Sequence, residues 1–161
     1  MRIGVISDTH VKCLDDLPAK ALDILSGMDM VIHLGDYTGK TLLEELRKNF
    51  NFKGVCGNMD PHQIKKELPK KDVFEVKGFK IGITHPAEGG FPFFLEKRLK
   101  AKFGRDVPII LYGHTHRAVC RFTGEILYLN PGSLTKVFPA TYCSLGVLTI
   151  NNKIDGKILK F

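Results

Sequence analysis

Seven side chains suited to holding metal ions are spread along the first three-quarters of this sequence: Asp8, His10, Asp36, Asn58, His85, His114 and His116. Each follows a short apolar run, as where VIHLG leads into Asp36 or GVCG into Asn58. Carboxylate, amide and imidazole donors without a thiolate suit manganese, iron, zinc, nickel or a similar divalent ion, whereas a cage of oxygens alone would favour calcium or magnesium. Seven donors exceed what one such ion takes. Two ions sharing a carboxylate would use them all. Gly35, Gly57 and Gly113, each beside a candidate ligand, permit the sharp turns and close backbone approach that a crowded centre needs.

Taken singly the pieces carry little, because a DxH spacing, a GD or a GN arises by chance in many chains. His33 lies within an apolar run and reads as a hydrogen-bonded core histidine beside the ligands, not as a ligand. His62 reads as an exposed helix residue. The GHTH at 113–116 is more specific, since alternation along an extended segment lets two imidazoles turn toward neighbouring ions.

The elements that must position these residues alternate between strand and helix through the first half. Strands are predicted over 2–6, 29–33 and 52–56. A helix over 18–26 opens at Pro18 and stops at Gly27, and a second carries the apolar stripe Leu42, Leu43, Leu46 and Phe50 behind a capping box of Thr41 and Glu44. Asp60 and Pro61 have the pattern of an N-cap and first turn for a short helix that Pro69 ends. Strands over 73–76 and 79–84 flank a Lys77-Gly78 hairpin turn. A helix then begins near Pro92, presents Leu95, Leu99 and Phe103, and stops at Gly104. Strands over 108–112, 119–122, 126–129, 143–150 and 153–159 complete the chain, with Asn151 and Asn152 as the last turn. Two apolar sheets with helices on their outer faces would use every piece, so the expected class is α/β, a four-layer αββα sandwich of two mixed sheets. Five strands would each deliver a candidate ligand at their carboxyl ends, where open α/β sheets place their crevices.

With 161 residues, 43% of them hydrophobic, the chain suits one domain over 1–161 with its own core. Cys13, Cys56, Cys120 and Cys143 form no CxxC pair and read as free thiols. No leader-like start and no long apolar run occurs, so the expectation is a cytoplasmic protein that does not enter a membrane. The net charge of +7 is concentrated in residues 61–105, which carry 11 basic against 5 acidic side chains. That segment reads foremost as a solvated helix face and secondly as a surface that concentrates phosphate-bearing substrate.

In order along the chain, SDTH, GD, GN, a lone TH, GHTH and the NPGS at 130–133 closely resemble the calcineurin-like metallophosphoesterase superfamily, in particular its small phosphodiesterase type. The resemblance spans residues 3 to about 135. It implies one metal on Asp8, His10, Asp36 and His116 and a second on Asp36, Asn58, His85 and His114, with Asp36 shared. It also implies a catalytic set of Asp8, His10, Asp36, Asn58 and His85, with Asn58, Met59 and His85 nearest the substrate. The expected cofactors are two divalent ions, manganese first, with nickel, iron, zinc or cobalt as alternatives. In that family a water or hydroxide between the ions attacks phosphorus, which accords with the ability of paired cations to acidify water and neutralise phosphoryl oxygens.

Two departures from the family pattern stand out. Many relatives place a histidine after GN to assist the leaving group, whereas Met59 stands here and a thioether donates no proton. Pro86 follows His85 where small relatives often have glycine. The expected substrate is a small or nucleotide-like phosphodiester with a leaving group that needs little assistance. The rival reading is a metal-binding, catalytically weak scaffold for protein partners, resembling the retromer subunit of the same fold. Nucleic acid is a disfavoured partner, since no aromatic ladder accompanies the lysines. Pairing of subunits through exposed apolar patches is left open. The loop at 86–92 is expected to shape the pocket or to pack Phe91 into the core.

Overall fold

The protein, described here from a computed structural model for residues 1–88 and 94–161, folds as two five-stranded sheets with helices outside them. The strands are β1 (Arg2–Ile6), β2 (Met30–His33), β3 (Phe52–Gly54), β4 (Lys71–Val76), β5 (Phe79–Thr84), β6 (Ile109–Tyr112), β7 (Val119–Thr123), β8 (Ile126–Asn130), β9 (Ser144–Ile150) and β10 (Ile154–Lys160). The helices are α1 (Ala19–Ser26), α2 (Lys40–Asn49), α3 (His62–Glu67) and α4 (Leu95–Phe103), with a 3-10 turn at Leu14–Asp16. One sheet runs β10-β9-β1-β2-β3 and the other β4-β5-β6-β8-β7. Within them β1, β2 and β3 are mutually parallel, as are β5, β6 and β8, while β9, β10, β4 and β7 run antiparallel to their neighbours.

Strand alternation explains the layering, because successive side chains leave opposite faces of a pleated strand. Ile3 and Val5 of β1, Met30 and Ile32 of β2, and Ile81, Ile83, Ile109 and Leu111 of the other sheet meet in one cluster between the sheets. The alternate residues Ile6 and Val31 face outward onto Ala21, Leu25, Leu42, Leu43, Leu46 and Ile64 of α1, α2 and α3. Ile110, Tyr112 and Tyr128 face Leu99 and Phe103 of α4 on the far side. The four-layer αββα arrangement is therefore the one expected from the sequence.

Several local expectations are corrected. Helix α2 starts at Lys40 with Gly39 as its N-cap and no side-chain cap, so Thr41 and Glu44 do not form a capping box. The chain at Gly39 presses against Lys12, whose carbonyl accepts the Leu42 N–H at 2.9 Å, and this tertiary bond takes the place of a side-chain cap. Helix α3 is preceded by Pro61, not by Asp60, whose carboxylate points elsewhere. Strand β3 ends at Gly54, two residues early, and β4 starts at Lys71, two residues early. The last hairpin has three linking residues, closed by Asn151 N–H donating to the Lys153 carbonyl at 3.1 Å. The Lys77-Gly78 turn is as expected, with both φ angles positive at 48° and 81°. The start near Pro92 and the placement of Phe91 lie outside the described residues. All four cysteines are free, Cys56 being buried and the others partly so. No helix among the described residues is long and apolar enough to cross a membrane.

Candidate functional site

All seven candidate ligands lie in loops that leave the carboxyl ends of β1, β2, β3, β5 and β6, and both sheets contribute. Asp8, His10, Asp36 and Asn58 come from one sheet, and His85, His114 and His116 from the other. The loops turn abruptly. Asp8, His10, Asp36, His114 and His116 have φ between 49° and 76°, a left-handed conformation that non-glycine residues rarely adopt and that clusters at functional sites. The neighbouring glycines permit the crowding: a Cβ on Gly57 would overlap Asp36 Oδ1, and one on Gly35, itself at φ 101°, would press on His85 Nδ1.

Two groups of donor atoms gather within 4.8 Å of one another, Asp8 with His10 and His116, and Asp8 with Asp36 and His85. Asp36 Oδ2 stands 3.7 Å from His10 Nε2 and 3.5 Å from His85 Nε2, so its carboxylate lies between a histidine of each group. Asp8 Oδ1 is 3.1 Å from His116 Nε2 and 4.0 Å from His85 Nε2. Asn58 Oδ1 is 3.1 Å from His85 Nε2. The His10 and His116 rings meet edge-on with centroids 5.4 Å apart, and His85 and His114 do so at 5.1 Å. His114 stands outside both groups, and its backbone N–H donates to Asp8 Oδ2 at 3.0 Å. Met59 turns its side chain to solvent, 60% exposed, while its N–H donates to Asp36 Oδ1 at 2.8 Å.

Imidazole orientation follows from backbone acceptors. His85 Nδ1 lies 2.7 Å from the Leu34 carbonyl, and His116 Nδ1 lies 2.9 Å from the Phe138 carbonyl. A carbonyl only accepts, so both Nδ1 atoms carry the proton and both Nε2 atoms face the shared space. The close approach of the Asp8 carboxylate, 3.1 Å from Nε2, and its charge outweigh burial to raise His116 to about 8. Burial opposes protonation of His85, but Asp36 and Asp8 overcome it and hold that imidazole above its ordinary value. Burial would raise Asp36, yet the His85 hydrogen bond and charge keep it below the usual carboxylate range. His114 falls below its ordinary value through burial and the neighbouring His85.

The donor set fits divalent cations. Asp8 Oδ1 and His10 Nε2 are buried and make no well-aligned hydrogen bond, even though His116 approaches the former, and buried polar atoms normally find partners. They point into a space lined by oxygen and imidazole nitrogen, the donor chemistry of borderline divalent metals.

Several residues outside the candidate ligand set position this site. Asp60 is buried, and its carboxylate accepts the N–H groups of Asp36 at 3.1 Å, Tyr37 at 2.7 Å, Thr38 at 3.1 Å and Gly57 at 2.7 Å. It thereby ties the Asp36 loop to the Asn58 loop, which corrects its reading as a helix cap. In the NPGS segment, Ser133 Oγ donates to the Asp8 carbonyl at 2.8 Å, and Asn130 Nδ2 donates to the Gly113 carbonyl and to Thr115 Oγ1. Thr135 Oγ1 donates to the Thr9 carbonyl at 2.6 Å. His33 is fully buried, bonded to Thr9 Oγ1 at 3.0 Å and stacked on Tyr37, and so supports the site without entering it, as expected. His62 is exposed at the start of α3, also as expected.

Comparison with known proteins agrees with this arrangement. Residues 1–153 match the calcineurin-like phosphoesterase superfamily domain. A probable metallophosphoesterase of Methanocaldococcus jannaschii is 36% identical, over 99% of this chain and 81% of that protein. A phosphodiesterase of the same organism is 31% identical over 82% of this chain and 83% of its own length. Vps29 of Entamoeba histolytica, in a zinc complex, superposes with a TM-score of 0.76 at 26% identity, covering 99% of each chain. From the family match, these relatives and the shared architecture, the chain belongs to the calcineurin-like metallophosphoesterase superfamily, among its small phosphodiesterase-type members.

Proposed function

We propose that this protein hydrolyses a small or nucleotide-like phosphodiester with two divalent ions, manganese foremost. One ion would be held by Asp8, His10, Asp36 and His116 and the other by Asp36, Asn58, His85 and His114. The observation that carries this reading is the Asp36 carboxylate lying between His10 and His85 at 3.7 and 3.5 Å. A bound pair of cations would neutralise charge on the phosphoryl oxygens and acidify the attacking water. The chain's own part is placement. Nδ1–H bonds to Leu34 and Phe138 aim two imidazoles inward, the Met59 N–H fixes Asp36 through its other oxygen, and Asn58 lines the cleft beside the site.

Met59 supplies no proton, so the leaving group is expected to be an acidic alcohol such as a phenol. The test is turnover of a diester and of the matching monoester across a panel of divalent metals. Diester hydrolysis that requires metal and is lost in Asp36→Asn is the expected result, and metal-independent turnover would overturn the reading. The exposed Met59 favours one alternative, a metal-binding scaffold without turnover, for which no added metal would elicit hydrolysis of either ester.

A further inference from the structure

Beside the candidate metal positions opens a cleft of about 370 Å³ lined by Cys56, Gly57, Asn58, Lys65, Lys70, His85, Ala87 and Glu88. It shares Asn58 and His85 with the site, so a phosphorus held there would direct one of its ester arms into this cleft. The wall bears two ammonium groups. Lys65, in the last turn of α3, donates from Nζ to the Asn58 carbonyl at 2.7 Å, a neutral acceptor that leaves its charge uncompensated. Lys70 stands just before β4, and neither lysine forms an ion pair with a carboxylate among the described residues. The one acidic side chain lining the cleft, Glu88, has its charge met mainly by Lys102 Nζ at 2.8 Å, with a smaller electrostatic contribution from Lys70. Burial and the Asp60 carboxylate raise the Cys56 thiol while the Lys65 and Lys70 charges oppose them, so both ammonium groups lie within electrostatic reach of the cleft wall at Cys56.

Resting on the function proposed above, we propose that this cleft is a subsite for a second phosphate carried on one arm of the phosphodiester, with Lys65 and Lys70 as its specificity-determining residues. An uncharged arm would leave two ammonium groups facing an apolar ligand surface. A phosphate in the cleft would accept charge-assisted hydrogen bonds from both.

The test compares thymidine 3′-(4-nitrophenyl phosphate), whose leaving group is an acidic phenol, with its 5′-phosphorylated form, in the parent, Lys70→Ala, Lys65→Ala and the remote control Lys153→Ala. The parent is expected to favour the 5′-phosphorylated ester by about tenfold in kcat/KM, chiefly through KM, as two charge-assisted contacts allow. Lys70→Ala should cut that preference at least about threefold, and Lys65→Ala should cut it too. Lys153→Ala should leave it unchanged. Equal use of the two substrates by the parent, or a preference that survives both lysine substitutions, would overturn the subsite. Failure to cleave either ester with any metal would count against the proposed function instead. The subsite is then read by calorimetry on metal-free protein. Thymidine 3′,5′-bisphosphate should bind more tightly than thymidine 3′-monophosphate in the parent and lose that margin in Lys70→Ala, whereas equal binding of the two in the parent would overturn it.

Discussion

At the level of single side chains, the carboxylate of Asp60 governs two loops at once, because its four backbone donors belong to Asp36, Tyr37, Thr38 and Gly57. Asp60→Asn keeps the volume but replaces an acceptor with an amino group that faces N–H donors. It is expected to cost about 2–3 kcal/mol in thermal or urea unfolding and to weaken manganese binding in calorimetry. An unchanged melting profile and affinity would contradict this role. His33 makes a second prediction. Burial holds its imidazole well below the ordinary value, so the folded protein keeps it neutral where the unfolded chain takes up a proton near pH 6.5. The unfolded state then binds more protons at acid pH, and stability falls as pH drops below that point, by up to about 1.4 kcal/mol per pH unit for one group. In metal-free protein, urea unfolding of His33→Gln should show a shallower loss toward acid than the parent, and the difference isolates His33 from neighbours that titrate nearby. The seven candidate ligands were legible in the sequence because each follows a short apolar run, three of them directly after a glycine. The bracing by Asp60 was not, since an aspartate before Pro61 has the local pattern of a helix cap and only the fold brings residues 36–38 to it.

Among the elements, the β-to-loop junctions carry the site, and their tolerance for added atoms is small. Gly57→Ala would drive a Cβ into Asp36 Oδ1 and against the Asp36 backbone N, so the loop after β3 must retreat from the loop after β2. The expected outcome is a folded protein destabilised by about 1–3 kcal/mol, with manganese affinity reduced more than stability. Calorimetric binding alongside thermal unfolding checks the ordering. The apolar runs of β1, β2, β5 and β6 and the order of strands and helices were enough to read the layering, and the residues at the carboxyl ends of those strands the side from which candidate ligands emerge. Two features escaped for physical reasons. The Thr41–Glu44 pattern lost to a main-chain bond from Leu42 to Lys12, a partner far away in sequence. The NPGS segment follows β8, which inserts between β6 and β7, and that strand order is what brings Ser133 and Asn130 against the Asp8 and GHTH loops.

For the molecule as a whole, the candidate ligands straddle two sheets that otherwise meet through an apolar layer, so bound cations would act as a tie across that layer. Removing metal with a chelator is expected to lower the melting temperature by roughly 5–10 °C relative to protein at a hundredfold excess of metal over its dissociation constant, a linkage of about 2.7 kcal/mol. Scanning calorimetry with and without chelator measures it, and superimposable transitions would argue against a tie. The ladder between β1 and β9 has a different consequence. Arg2 to Val5 lie opposite Gly146 to Thr149, so β1 waits for β9, made much later on the ribosome, to complete its pairing. Until those late residues emerge, one edge of β1 stays open in the nascent polypeptide, a template for stray strand pairing. Pairing of β1 is therefore expected to finish only after β9 has emerged, with chaperone protection most useful while residues 144–160 are still inside the exit tunnel.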